Sequence, residues 1–398
     1  MSRMFGIVIS AVILVICLCT FISCDTTKPD VYEVKSDGDI VMTTLSENFE
    51  LGLKGVGNLI INWGDGVLES FVLNEEEQDV VIFKHYYGKN ISHTINIYGE
   101  ISHLSSSSNS LSSINVSKSP QLRHLNVGSN NLTELDISNN DFLEYLNCQL
   151  NKISVINTAN NLALKQLHIF NNQVTEFDLT NNSMLMELSC GYNQLNRLDV
   201  SHNPLLESLE CYRNMITNIK IRNNPLLRYI NCGANQLTEL DLSGAEALKS
   251  LSCFSNKLTN IDITQNVLLN VLHAYSNELT SIDLSNNVQL TVLWLDANMI
   301  TNIDLSHNLK LTSLALNSNN LSNLSVANNL ELVGIYVRSN NFTAQELNNI
   351  FQMLPKVKVF EQQTYGAWIY IGDNPGTDNC DVSIATGKNW LVSGQFEK

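Results

Sequence analysis

A fixed period constrains this chain more than anything else in it. From Ile101 to Glu331 one 21-residue pattern is written eleven times with no insertion or deletion. With Leu122 as position 1, the unit reads Leu122, Leu125, Val127, Asn130, Leu132, Thr133, Leu135, Asp136, Ile137, Ser138 and Asn140, and it restarts at Leu143. A strict repeat of this size means a solenoid, in which each unit is one coil that buries its apolar side only against its neighbours. Positions 1, 4, 6, 11, 14 and 16 are apolar almost throughout, so these side chains point inward. Position 9 is asparagine in every coil: Asn109, Asn130, Asn151, Asn172, Asn193, Asn214, Asn235, Asn256, Asn277, Asn298, Asn319, and Asn340 in a twelfth, incomplete coil. An inward amide carries both donors and an acceptor, and it satisfies turn backbone groups that a coil buries away from water. Asn231, four residues before Asn235, is expected to face solvent instead.

The consensus Leu-x-x-Leu-x-Cys-x-x-Asn-x-Leu-Thr-x-Leu-Asp-Leu-Ser-x-Asn closely resembles bacterial leucine-rich repeats, over residues 101 to about 355. The resemblance implies a mainly β solenoid of about 12 coils. It also implies that residues 2, 3, 5, 7 and 8 of each coil form an exposed strand face, as in Leu143-Glu-Tyr-Leu-Asn-Cys148. The other half, Leu132-Thr-Glu-Leu-Asp-Ile137 and its equivalents, repeats the same apolar spacing ten residues later. Where many family members put a helix, this chain has Thr, Asp, Ser and Asn-Asn, which favour extended chain and turns. Two nearly equal extended arms per coil, and hence weak curvature, are expected.

Ahead of the array, Arg3 and the apolar run Gly6 to Phe21 have the layout of a secretory signal and are short for a spanning helix, the alternative being an uncleaved membrane anchor. Phe21-Ile-Ser-Cys24 resembles the bacterial lipoprotein box, with Phe21 in place of its usual leucine. That resemblance makes residues 1–23 a signal peptide and Cys24 the lipidated first residue of an exported, envelope-anchored protein, placed on the outer membrane and exposed at the surface. Residues 24–38 are polar, and Pro29 keeps them extended as a tether. The formal charge is 23 − 39 = −16, and loss of Arg3 with the leader makes it −17. Nucleic acid is a poor partner for such a chain, since that binding depends on Lys and Arg.

Between residues 39 and 100 the apolar spacing changes to two, as at Phe49, Leu51 and Leu53 or Leu59, Ile61 and Trp63, which reads as half-buried strands. Leu59-Ile-Ile-Asn-Trp-Gly-Asp-Gly-Val67, followed by His85-Tyr-Tyr87, resembles PKD-type β-sandwich modules in a shortened form, and its expected task is to cap the first coil. Residues 343–398 read as an α/β C-terminal cap. Thr343-Ala-Gln-Glu346 is a capping box, Leu347, Ile350, Phe351 and Leu354 follow at helical spacing, and Pro355 stops the helix. This segment resembles the cap of Bacteroidetes surface leucine-rich-repeat proteins, which implies that Lys398 is the natural end and that no further module is missing.

Cys148, Cys190, Cys211, Cys232 and Cys253 all occupy position 6, which is Val, Ile, Ala or Leu elsewhere, so they read as small buried hydrophobes. A metal site needs converging ligands at short spacings, whereas a 21-residue step makes a straight row. Asp136, Asp178, Asp199, Asp241, Asp262, Asp283 and Asp304 at position 15 form a solvated edge that orders the next turn. The histidines are scattered, with only His103 and His124 sharing a column in consecutive coils. No nucleophile motif and no phosphate-cradling loop is present, so the expectation is a non-enzyme without cofactor or metal. The candidate binding residues are Phe170, Tyr192, Tyr212, Arg213, Phe254, Tyr275, Trp294 and Tyr336, with Tyr145 and Tyr229 beside them. Exposed aromatics along one face are costly unless they contact something, and Tyr and Trp are enriched at binding hot spots; the alternative is that the rings stack on one another and stiffen the sheet. Interleaved Asn126, Asn147, Asn171, Asn231, Glu187 and Glu210 supply polar contacts for a protein or carbohydrate ligand, in adhesion or in a host or nutrient interaction. The alternative is a structural spacer or scaffold of the envelope.

Overall fold

In each coil the six apolar positions converge because the chain reverses at fixed points and returns to the same register 21 residues later. Leu206, Leu209, Cys211, Ile216, Ile219 and Ile221 of one coil are all buried, and the equivalent residues of its neighbours join them in one continuous core. The computed structural model describes residues 38–74, 79–357 and 366–394. The leader, Cys24 and nearly all of the tether lie outside the described residues.

Short parallel strands at positions 3 to 5, such as His124–Asn126, Tyr145–Asn147 and Gln166–His168, stack coil on coil. The parallel pairing continues without a break to Trp390–Ser393 in the C-terminal segment. Inter-coil bonds extend past each strand: the amide of position 6 donates to the neighbouring coil, as Val127 N to Asn147 O, and so does that of position 8, as Ser129 N to Gln149 O. The chain bends there, because position 8 adopts a left-handed backbone in all twelve coils, from Ser108 (φ 58°) to Ser339 (φ 52°). Non-glycine residues accept that conformation only where their surroundings impose it.

Position 9 imposes it. Asn235 Nδ2 donates to Cys211 O and Cys232 O, both at 3.0 Å, and its Oδ1 accepts from Ile216 N at 3.0 Å. One amide thus ties the turn of its own coil to the coil before. Ten of the twelve asparagines are buried, and Asn151 and Asn214 are half-buried with the same bonds. A second asparagine row, at position 19, was read from the sequence only as turn residues. Asn140, Asn161, Asn182, Asn203 and Asn224 are fully buried, and each donates to the carbonyl of the residue 21 positions earlier, as Asn203 does to Asn182 O at 2.8 Å. Ala245 interrupts this row, and Asn266 resumes it by donating to Ala245 O at 2.8 Å.

The two arms of a coil are not equal. Among the described residues the second arms pair with one another only at Arg197–Asp199 and Asn218–Lys220, and the second arm of the first coil, Leu111–Asn115, pairs instead with the N-terminal module. The position-15 aspartates accept the amide two residues on, as Asp136 Oδ1 does from Ser138 N at 3.0 Å and Asp199 Oδ1 from Ser201 N at 3.1 Å; the paired arms differ in that Lys220 stands opposite Asp199 and binds it at 2.9 Å.

At the N-terminal end β1 (Ile40–Thr44), β2 (Asn48–Asn62), β3 (Leu68–Leu73), β4 (Val81–Tyr86), β5 (His93–Ser105) and β6 (Leu111–Asn115) pair antiparallel. β5 runs on through residue 100, and its last residues, His103 to Ser105, are the first parallel strand of the solenoid. The module also terminates the asparagine row, since Asn109 Oδ1 accepts from Glu50 N at 3.0 Å and Asn109 Nδ2 donates to Glu50 O at 2.6 Å. Trp63 is buried here, stacked on His85 at 4.7 Å, and Tyr87 donates to Trp63 O at 2.8 Å.

The C-terminal end closes in the same manner. Asn374 Oδ1 accepts from Asn340 N at 3.1 Å and Asn374 Nδ2 donates to Val337 O at 2.9 Å, so a further asparagine stands in line beyond Asn340. Helix α1 (Ala344–Met353) starts at Thr343, whose hydroxyl accepts from Glu346 N at 3.3 Å. Leu347, Ile350 and Phe351 pack under the last coil. Lys388, just after α2 (Ser383–Thr386), donates to Leu354 O at 2.9 Å at the end of α1.

Two variants test this account. Asn235→Leu strands three buried backbone groups at roughly 1–3 kcal/mol each. Asn231 is not the freely solvated comparison the sequence suggests, because it accepts from Gly233 N at 3.2 Å; Gln236→Ala, exposed beside Asn235, serves instead and should change stability by less than about 0.5 kcal/mol. Equal losses in denaturant melts would refute the role of the row. In the second row the Oδ1 atoms of Asn140, Asn161, Asn203, Asn224, Asn287 and Asn308 are buried without a donor. Asn182 is different, since Thr158, 24 residues before it, donates at 2.8 Å. Val200 stands in the same relation to Asn224. Val200→Thr should therefore leave stability unchanged or raised, and a loss of more than about 1 kcal/mol, the usual penalty for an unpaired buried hydroxyl, would show that the geometry does not transfer.

Candidate binding face

The residues proposed for binding do not all lie on strands. Trp294 and Tyr336 occupy position 5 on the strands Val292–Trp294 and Gly334–Tyr336. Phe170, Tyr212, Phe254 and Tyr275 at position 7, and Tyr192 and Arg213 at position 8, lie on the turn just beyond the strand, where the chain has bent. The sequence pattern alone placed them on one flat face. The inter-coil ladder nevertheless keeps position 7 in lateral register, so side chains one coil apart stand over one another.

This register decides what the rings can do. Phe254 and Tyr275 stack at 4.8 Å with planes 7° apart, and Tyr336 stacks on Tyr370 at 4.8 Å and 8°. Trp294 lies on His273 at 4.3 Å and donates its ring N–H to Ser313 Oγ at 3.1 Å. In these pairs much of the flat area faces another ring, and edges are left for solvent. Phe170, Tyr192 and Tyr212 behave differently, meeting at 5.1, 5.4 and 6.0 Å in edge-on and tilted arrangements, with Arg213 set 5.0 Å from the Tyr192 ring centre. Tyr192 remains 38% exposed and Trp294 37%.

Two glycines missed by the sequence reading make these arrangements. A side chain at Gly233 would begin 2.4 Å from the Phe254 ring, so the ring lies flat on bare backbone there. At Gly191 a Cβ would stand 3.1 Å from the Tyr212 ring, and its absence opens the gap into which Phe170, Tyr192 and Tyr212 converge. The available signal was the alternation Phe170, Gly191, Tyr212, Gly233, Phe254 at 21-residue steps.

A second ring column lies nearer the N-terminal module. His103, His124 and Tyr145 stack at 5.4 and 4.1 Å, and they line an open groove of about 690 Å³ with Arg123, Glu144 and Lys165. Glu144 accepts from Arg123 at 2.8 Å and from Lys165 at 2.6 Å, and these bonds hold its carboxyl below the usual range. Burial and the adjacent His103 lower His124 to about 4, so it stays neutral at ordinary pH. Along another corner, at positions 20 and 21, Phe142, Leu162, Met184, Leu226, Leu268 and Leu330 are exposed, an apolar row the sequence reading did not single out.

The position-6 cysteines are all buried and unpaired. Burial pushes Cys148 and Cys232 up to about 12 and raises Cys190, Cys211 and Cys253 well above the ordinary thiol range, so the row is neutral thiol packed as apolar surface. The position-15 carboxylates are engaged by their own turns, and Asp199 also accepts from Lys220 at 2.9 Å. These bonds hold them below the ordinary range.

No protein-family model matches the sequence, and no curated protein matches it. Solved structures do. The functional domain of InlJ from Listeria monocytogenes, described as including a cysteine ladder, is 29% identical with a TM-score of 0.64, covering 74% of this chain and 63% of that one. The chain has the leucine-rich-repeat fold. It thus spans less than two thirds of the Listeria chain. A leucine-rich-repeat protein of Leptospira interrogans is 20% identical, with a TM-score of 0.61 over 72% of this chain and 82% of that one. The internalin InlF of Listeria monocytogenes is 22% identical, with a TM-score of 0.52 over 66% and 87%. The leucine-rich-repeat proteins at this lower identity share the solenoid alone.

Proposed function

We propose that this leucine-rich-repeat protein is a non-enzymatic binding protein of the cell surface, exported, held to the outward side of the outer membrane by a lipid on Cys24, and presenting its strand and turn face to a protein ligand. The observation that carries the reading is the exposed cluster of Phe170, Tyr192, Tyr212 and Arg213, residue types that dominate protein interfaces. Phe254, Tyr275, Trp294 and Tyr336 extend it along the array. A protein suits this face better than a carbohydrate, because sugars stack on open ring faces and most faces here are turned to another ring. The likeness to InlJ, at 29% identity, supports a surface interaction scaffold. The N-terminal module, which resembles PKD-type modules through Trp63-Gly-Asp-Gly66, serves the array as its cap.

A second reading, a spacer that packs against other envelope components, is favoured by the exposed apolar corner from Phe142 to Leu330. The two separate on one variant. Tyr212→Ala, Tyr275→Ala and Trp294→Ala combined should abolish capture of the purified chain by an array of surface proteins and leave the fold intact by circular dichroism. Retained capture, or capture by a glycan array alone, would reject the protein-binding face. For the anchor, Cys24→Ser should release the protein from the membrane fraction, and a variant that sediments with membranes as fully as wild type would eliminate the lipid attachment.

A further inference from the structure

Arg213 is the exception among the arginines. Arg123, Arg197, Arg222, Arg228 and Arg338 each pair with a carboxylate within 2.8–3.5 Å, while Arg213 pairs with none among the described residues and lies over the Tyr192 ring at 5.0 Å. Its backbone is held left-handed at φ 54°, and its N–H donates to Gly233 O at 2.9 Å, so the base of this side chain is fixed. A guanidinium laid on a ring and left without an anion is a prepared carboxylate receptor, since its planar fork matches a carboxylate in two parallel bonds.

Beside it is the gap made by Gly191. Phe170 and Tyr212, two coils apart, reach 6.0 Å because no side chain stands between them, and Tyr192 meets both edge-on. Leu150, exposed one coil further on, donates its N–H to Phe170 O at 2.8 Å and widens the apolar rim. The backbone of this turn is already spent in the inter-coil ladder, as Tyr192 N donates to Tyr212 O at 2.9 Å, so a ligand is recognised by side chains and not by adding a strand.

We infer that the gap over Gly191 is a docking site for a peptide segment that places an aspartate or glutamate on Arg213 and an adjacent apolar side chain among Phe170, Tyr192 and Tyr212. This rests on the protein-binding reading above and names the partner's chemistry. Charge complementarity decides the occupant. The chain carries a formal net charge of −16, which repels acidic partners at large, so an arginine held on a ring with no carboxylate partner among the described residues marks a place on this face where an acidic group is welcome. Sialylated sugars carry the same carboxylate, but the guanidinium covers the Tyr192 face on which a sugar ring would stack.

Displayed random short peptides panned on the full chain, with sialylated oligosaccharides assayed in parallel, test the inference. Selected peptides should carry Asp or Glu beside a large apolar residue. Their binding should fall roughly tenfold or more on Arg213→Glu and on Tyr192→Ala, less on Arg213→Lys, and not at all on Arg197→Glu. Peptides that ignore Arg213→Glu but are lost on Trp294→Ala would sink the docking site and leave the protein-binding face standing. Binding of the sialylated probe without any acidic peptide would overturn the inference. Failure of every peptide and protein probe would overturn both readings.

Discussion

One primary amide per coil governs this molecule. The position-9 side chain donates to one carbonyl of its own left-handed turn and to one of the preceding coil, and it accepts an amide of that preceding coil, so a single group sets the turn and the stacking together. That double use explains why serines, alanines, a leucine, a tyrosine and an arginine all tolerate a positive φ at position 8. It also sets what a cap must provide. Glu50 gives the first asparagine backbone partners, and Asn374 continues the row past the last full coil, so the two unlike end structures solve one hydrogen-bonding problem.

The same stacking that builds the core restricts the surface. Lateral register places side chains of successive coils over each other, so aromatic residues at one position spend their faces on their neighbours. Recognition is then left to edges, to hydroxyls and to places where the row is broken. Gly191 is such a break, and the left-handed turn beside it directs Tyr192 and Arg213 to the opening. The cysteines obey the same logic inside the core, where a row of thiols without polar partners is held neutral by burial alone.

The core was legible because a 21-residue period acts on every buried position at once, and position 9 stood out because no apolar substitute appears there. Asn140 and its equivalents were visible but read as turn residues, since Asn-Asn in a polar stretch signals a turn whether its side chain points in or out. Asn374 was hidden inside Asp373-Asn-Pro-Gly376, whose composition explains itself locally. The second arm was expected as a strand from its apolar spacing, yet the parallel pairing forms where Lys220 stands opposite Asp199, whereas like charges such as Asp262 and Asp283 follow one another further along the row. Ring orientation was out of reach because it depends on what stands one coil away, as the pairing of Gly233 with Phe254 makes plain.

Because every inter-coil bond links residues at fixed offsets near 21, as from Asn203 to Asn182 or from Asn235 to Cys211, the array can change length only in whole coils. Excision or duplication of one complete unit by recombination between neighbouring repeats leaves each amide with a partner of the same kind and both caps untouched. Other shifts break the register, as a two-residue deletion does when it brings Leu237 to the place of Asn235. Length is therefore a quantised trait of this protein, and each added coil moves the Gly191 gap and the His124 groove apart if it enters between them and keeps their spacing if it enters outside. Heritable variation in the distance between two surface features comes free of any change in the residues that form them.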